Sequence, residues 1–171
     1  MQHQSVEHKL NPLIFIKMTM PRIKLDLPAC LLFQCDISVR ISDINYGNHL
    51  ANDALLGLLH EARLLWLKSV GFRDELDVGG AGLILCDAVL VFMHEAFHGD
   101  LLQIRLGVAE ISRAQFELYY HVTHQDKTIA KAKTTMASFS YTERKITHLP
   151  ESLRQVLACS GASANEKISS Q

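Results

Sequence analysis

The chain is short of the features that announce most functional classes. It has no surplus of charge: 17 lysines and arginines stand against 18 aspartates and glutamates. A balance of that kind builds no long-range field to draw in a polyanion, which argues against nucleic acid as a partner. Its four cysteines, Cys30, Cys35, Cys86 and Cys159, form no CxxC pair and sit at no metal-ligand spacing from histidine. They read as reduced thiols of a cytoplasmic protein, with neither a disulfide framework nor a metal site expected. No apolar run approaches the roughly 20 residues that a bilayer span needs, so no membrane partner is expected. Leu13–Ile16, flanked by Pro12 and Lys17, is too short for the core of a secretion signal. Internal repeats and an interdomain linker are missing too, and at 171 residues the chain is one domain by size.

What is present falls into three stretches. Residues 1–20, ending at Met18 and Met20, read as a flexible N-terminal extension, and 158–171, rich in Ser, Ala and Gly, as a flexible tail. Residues 21–157 carry the pattern. Phe33–Ile41 reads as a strand and is followed by SDINYGNHLAND, dense in turn and cap residues. Asn52 or Asn48 would cap a helix running to about Val70, with Gly71 as its stop. Leu55, Leu56, Leu58, Leu59, Ala62, Leu65, Leu67 and Val70 occupy more than one stripe of that helix, which predicts burial on most sides. Strands follow at Leu83–Met93, Leu101–Ile111, Ala114–Val122 and Thr128–Tyr141, the third with clear period-2 alternation and Gln125-Asp126-Lys127 as a hairpin turn into the last. One helix against one antiparallel sheet is the α+β class.

The segment DINYGNHLANDALLGLLHEARLLWLKSVGF resembles the signature region of the 4-hydroxybenzoyl-CoA thioesterase family of hotdog proteins. The later HGDLLQIRLGVAEISRAQFELYYHVTHQDKTIAKAKTTMASFSYTERKITHLPE is similar to that family's remaining strands, and together they cover about residues 32–151. The resemblance implies an antiparallel sheet of about five strands wrapped around one long central helix. It also implies an acyl-CoA substrate, hydrolysis to free acid and coenzyme A with no cofactor, and a homodimer or dimer of dimers with the substrate tunnel between protomers.

The chemistry rests on the loop. Thioester hydrolysis needs a carboxylate to attack or to activate water, and donors to hold the oxyanion. In the family an Asp commonly stands four residues before the position filled here by His49; this chain has Asn45 there, which cannot be a general base. Asp43, two residues earlier, is then the loop's remaining carboxylate, with Asn45 orienting water or carbonyl and the backbone amides of Asn48 and His49 facing the oxyanion at the helix N-terminus. Both Asp43 and Asn45 could instead simply shape the loop as Asx turns. Glu61, on the helix, reads either as a second catalytic candidate or as the ion-pair partner of Arg63, and His60 as a core or interface histidine. Tyr46, Gly47, Asn48 and Asn52 are candidate substrate contacts. Arg113, Lys131 and Lys133 could meet the phosphates of coenzyme A or form a solvated face. The substitution at position 45 keeps a non-catalytic acyl-thioester binder in view. Ser42-Asp43-Ile44-Asn45 with His49 similarly keeps an R-specific enoyl-CoA hydratase in view, although the histidine falls one residue late for it.

Overall fold

The computed structural model describes residues 23–162, with side chains to residue 158. The expected extension over residues 1–20 lies outside the described residues. The elements run β1 (Phe33–Ser38), a 3-10 turn (Ile41–Asp43), α1 (Asn52–Ser69), β2 (Gly82–Phe92), β3 (Leu101–Ala109), β4 (Gln115–His124), β5 (Lys127–Ser140), β6 (Lys145–Ile146) and α2 (Glu151–Ala162). The helix α2 carries the chain five residues into the stretch expected to be a flexible tail, and the rest of that stretch is not described.

The sheet is antiparallel with strand order β1-β3-β4-β5-β2, and the two-residue β6 pairs with β5. The β4–β5 hairpin turns at Gln125 and Asp126, both at positive φ (46° and 66°), the mirror-image turn whose twist matches the strands it joins. The alternation read in β4 is real: Phe116, Leu118, Tyr120 and Val122 are buried. They face the same core as Leu102, Ile104 and Leu106 of β3 and Ala130, Ala132 and Met136 of β5. Into that core α1 lowers Leu55, Leu58, Leu59, Ala62, Trp66 and Leu67, with the Trp66 and Phe116 rings 6.4 Å apart.

Two features of α1 differ from the sequence reading. Its burial is one-sided: Asp53, Gly57, His60 and Glu61 are exposed, because the sheet covers a single face of the helix. Its N-cap is neither Asn48 nor Asn52 but Ala51, which offers no side-chain cap. Asn52 is already the first helical residue, and Asn48 sits in the left-handed region (φ 61°) of the preceding loop, a conformation asparagine tolerates. The C-terminus agrees with expectation: Gly71 at φ 96° lets Phe72 N–H reach back to the Leu67 carbonyl.

Candidate active site

The loop between β1 and α1 is built by its own polar groups. Asp43 is turned backward: its Oδ2 accepts from Arg40 N–H at 2.8 Å and its Oδ1 from Ser42 at 3.3 Å. Its carbonyl accepts from Ala51 N–H at 2.8 Å, tying the 3-10 turn to the start of α1. The Oδ1 of Asn45 accepts from Gly47 N–H at 2.8 Å, an Asx turn, and Asn48 N–H is spent on the Asn45 carbonyl at 3.0 Å. His49 folds its ring over this turn, with Nδ1 3.5 Å from Asn45 Nδ2 and 3.4 Å from the Leu50 carbonyl. Gly47 lies close beneath it: a Cβ there would lie 2.7 Å from His49 Nε2, so any side chain at 47 would displace the ring. Tyr46 stands fully in solvent.

A hydrogen bond from Leu50 N–H to the Ala96 carbonyl (2.8 Å) docks the loop against the segment that leaves β2. Between them opens a cleft of about 370 Å³, lined by Asn45, His49, Leu50 and Asn52 on one side and by Phe92 to Ala96 and Ile129 on the other. Its one carboxylate is Glu95, which the sequence reading missed; Asp43 is not in the lining. His94 donates through Nδ1 to the Thr128 carbonyl at 2.7 Å, which keeps its ring at the cleft wall. Asn52, the first residue of α1, brings the start of the helix to the cleft wall. The amides of its first turn, Asn52 to Ala54, have no preceding carbonyl to bond and no side-chain cap over them. They point the positive end of the helix dipole forward, as an oxyanion needs. Of the two amides expected to face the oxyanion, that of Asn48 is consumed by the loop; the His49 amide and those of the first turn remain as candidates.

The remaining candidates lie elsewhere. Glu61 is exposed and outside the cleft, and it is not the partner of Arg63. That buried guanidinium pairs with Glu75, at 3.1 Å through both Nε and Nη2, and hydrogen-bonds Tyr120, which in turn meets Thr134 at 3.2 Å. Glu75 also takes His60 Nε2 at 2.8 Å. On the outer face of the sheet, Lys133 is held by Glu117 at 2.5 Å, which raises its pKa. Burial and the same Glu117, 2.8 Å from the Tyr119 hydroxyl, push that hydroxyl up to about 12. Lys131 donates to the Leu25 carbonyl at 3.4 Å, and Arg113 is exposed on the β3–β4 connection. The three cations thus do not converge on one phosphate site within this chain. Among the described residues no cluster of three His, Cys, Asp or Glu side chains could hold a metal, and no helix is long and apolar enough to cross a membrane.

Residues 39–157 match the model of the thioesterase-like superfamily. The 1,4-dihydroxy-2-naphthoyl-CoA hydrolase of Microcystis aeruginosa is 33% identical over 105 residues, covering 60% of this chain and 76% of the relative. That of Nostoc punctiforme is 28% identical over 127 residues, 73% of this chain and 86% of the relative. The solved 1,4-dihydroxy-2-naphthoyl-CoA thioesterase of Synechocystis superposes with a TM-score of 0.66 at 25% identity, over 74% of this chain and 95% of its own. The antiparallel sheet with its packed helix is the hotdog fold of these enzymes, and the open helix terminus at a cleft suits acyl transfer to water. The chain belongs to the thioesterase-like superfamily and is a thioester hydrolase.

Proposed function

We propose that the substrate is an acyl thioester of coenzyme A and that it is hydrolysed in the cleft ahead of α1. The observation that carries this is the uncapped first turn of α1, opening onto a cleft that also holds Asn45, His49 and Glu95. The thioester carbonyl lies over the amides of Asn52 to Ala54, with Asn45 and His49 orienting the water. Glu95 takes a proton from that water as its oxygen bonds to the carbonyl carbon. The tetrahedral oxyanion is held by the helix terminus. When it collapses the C–S bond breaks, and the proton passes from Glu95 to the departing thiolate. The acyl groups of the relatives, dihydroxynaphthoyl rings, support an aromatic acyl group here. The free thiols of Cys30, Cys35 and Cys86 fit a reducing compartment, and we place the protein in the cytoplasm.

Purified protein assayed for thiol release tests the assignment of the base. Glu95→Gln keeps the size and removes the base, so kcat falls by roughly two to four powers of ten. Asp43→Asn loosens the turn instead, lowering the melting temperature together with activity. Loss of activity in Asp43→Asn at an unchanged melting temperature, with Glu95→Gln still active, would return the base to Asp43.

A further inference from the structure

The cleft wall that carries Glu95 holds a second titratable side chain, His94, directly beside it. Successive side chains of a strand point to opposite faces, but β2 ends at Phe92 and the chain runs irregularly from there to β3. That irregular path lets two neighbours in sequence line one cleft. Once Glu95 has taken a proton from water, that proton has to reach the sulfur before a thiol can leave. We propose that Nε2 of His94 carries it, which makes His94 the acid of the reaction beside Glu95 as its base. The proposal rests on the reading of Glu95 as that base.

His94 is held at both its backbone and its ring. The N–H groups of Met93 and His94 donate to the Ile129 carbonyl at 2.8 and 3.2 Å. The ring places Nδ1 2.7 Å from the Thr128 carbonyl, and a carbonyl oxygen only accepts. Nδ1 therefore carries a hydrogen whether the ring is neutral or charged, and Nε2 is the nitrogen that gains and loses a proton. Among the described residues that Nε2 has no hydrogen-bond partner. The anchoring residue is fixed in turn. Arg105 Nη2, which can only donate, faces His121 Nδ1 at 3.0 Å, so His121 Nε2–H donates to Thr128 Oγ1 at 2.9 Å. His49, the other histidine of the cleft, makes only long contacts, at 3.5 Å to Asn45 and 3.4 Å to the Leu50 carbonyl. The proton transfer balances. Nε2 accepts the proton from the carboxylic acid that Glu95 has become. It releases that proton to sulfur as the C–S bonding pair moves onto the sulfur, while a lone pair of the oxyanion restores the carbonyl of the free acid. Glu95 is then a carboxylate and Nε2 a lone pair again, and one water has been divided between acid and thiol.

The test varies the leaving group and keeps the acyl group. One substrate is the thioester of coenzyme A, an alkyl thiol that needs a proton as it departs. The other is the thioester of thiophenol, whose thiolate departs without one. Release of free acid is followed in wild type, His94→Gln and Glu95→Gln. The glutamine at 94 keeps the size and can still donate to Thr128, and the position is exposed, so the core is untouched. His94→Gln should lower the ratio of kcat for the coenzyme A thioester to kcat for the thiophenyl thioester by roughly two powers of ten, the lower end for one acid–base group. Both rates come from one preparation, so the ratio is blind to any loss of folded protein. Glu95→Gln removes the activation of water, which both thioesters need, and should slow the two alike. A fallen ratio in His94→Gln, with Glu95→Gln fully active, keeps His94 as the acid and removes Glu95 as the base. A ratio in His94→Gln equal to that of wild type overturns the role of His94.

Discussion

At the scale of single residues, most of the consequential chemistry lies in charges that the core admits only in pairs. Arg63 is buried, as are Leu59, Ala62 and Trp66 of its own helix, and Glu75 is its counter-charge. Removing one member of such a pair leaves an uncompensated buried charge. Glu75→Ala should therefore lower the unfolding free energy by about 3 kcal/mol, the lower end of the usual range because Glu75 is partly solvated. Urea denaturation measures it, and Arg63→Met, which removes the charge that needs a partner, should cost less. A second residue sets a pH dependence. His121 is pressed between Arg105, whose Nη2 lies 3.0 Å from its Nδ1, and Thr128, 2.9 Å from its Nε2. Burial first, then the Arg105 and Lys131 cations, hold its pKa below the ordinary 6.5. The unfolded chain takes up a proton at about 6.5 that the folded chain refuses, so stability is full above that pH and is lost as pH falls below it. In His121→Gln the melting temperature should depend less on pH on the acid side of 6.5. An equally steep decline would assign the acid sensitivity to other groups.

At the scale of elements, the start of α1 joins stability to activity. Ala51 in the N-cap position leaves first-turn donors open, where a serine oxygen would accept from one of them and add about 1 kcal/mol. Ala51→Ser should therefore raise the melting temperature and lower kcat, since the cap competes with the oxyanion for the same amides. A raised melting temperature with undiminished kcat would move the oxyanion site elsewhere. The first helix and the five longer strands were legible because they advertise their periods, β4 alternating residue by residue and Gly71 ending α1 where a positive φ is needed, whereas β6 and α2 were not read. The helix start was misread because Asn48 and Asn52 have cap chemistry, while the loop's backbone bonds, Asn48 N–H to Asn45 and Ala51 N–H to Asp43, decide where the helix begins. Asn45 and His49 were singled out through the family resemblance of their loop, and both line the cleft. Glu95 and Glu75 were not found, because tertiary contacts bring them in: the Leu50–Ala96 bond carries the first, and the second reaches Arg63 across 12 residues of chain. Glu61, adjacent to Arg63's turn in sequence, points away from it because the sheet buries a single face of the helix.

At the scale of the molecule, the open edge of the sheet is the feature that one chain leaves unresolved. The strand β2 is 11 residues long and, among the described residues, pairs only with β5, so no described strand lies beside its outer backbone groups. Its middle, Leu85 to Ala88, is exposed, and a long uncovered edge of this kind is a template for pairing with another chain. A groove of about 440 Å³ along the exposed side of α1 is bounded by this same strand at Leu83 to Leu85, so a second copy joined edge to edge would close over it. We therefore expect a homodimer through β2, in which pairing and turnover are linked. A lysine in the middle of an edge strand is a device proteins use against such pairing. Ala88→Lys should give a monomer by light scattering at micromolar concentration while its circular dichroism stays that of the wild type. Thiol release from an aromatic acyl-CoA should fall with it, because the groove loses its roof. A wild type that is already monomeric, or an Ala88→Lys monomer with full turnover, would show that each chain carries a complete site.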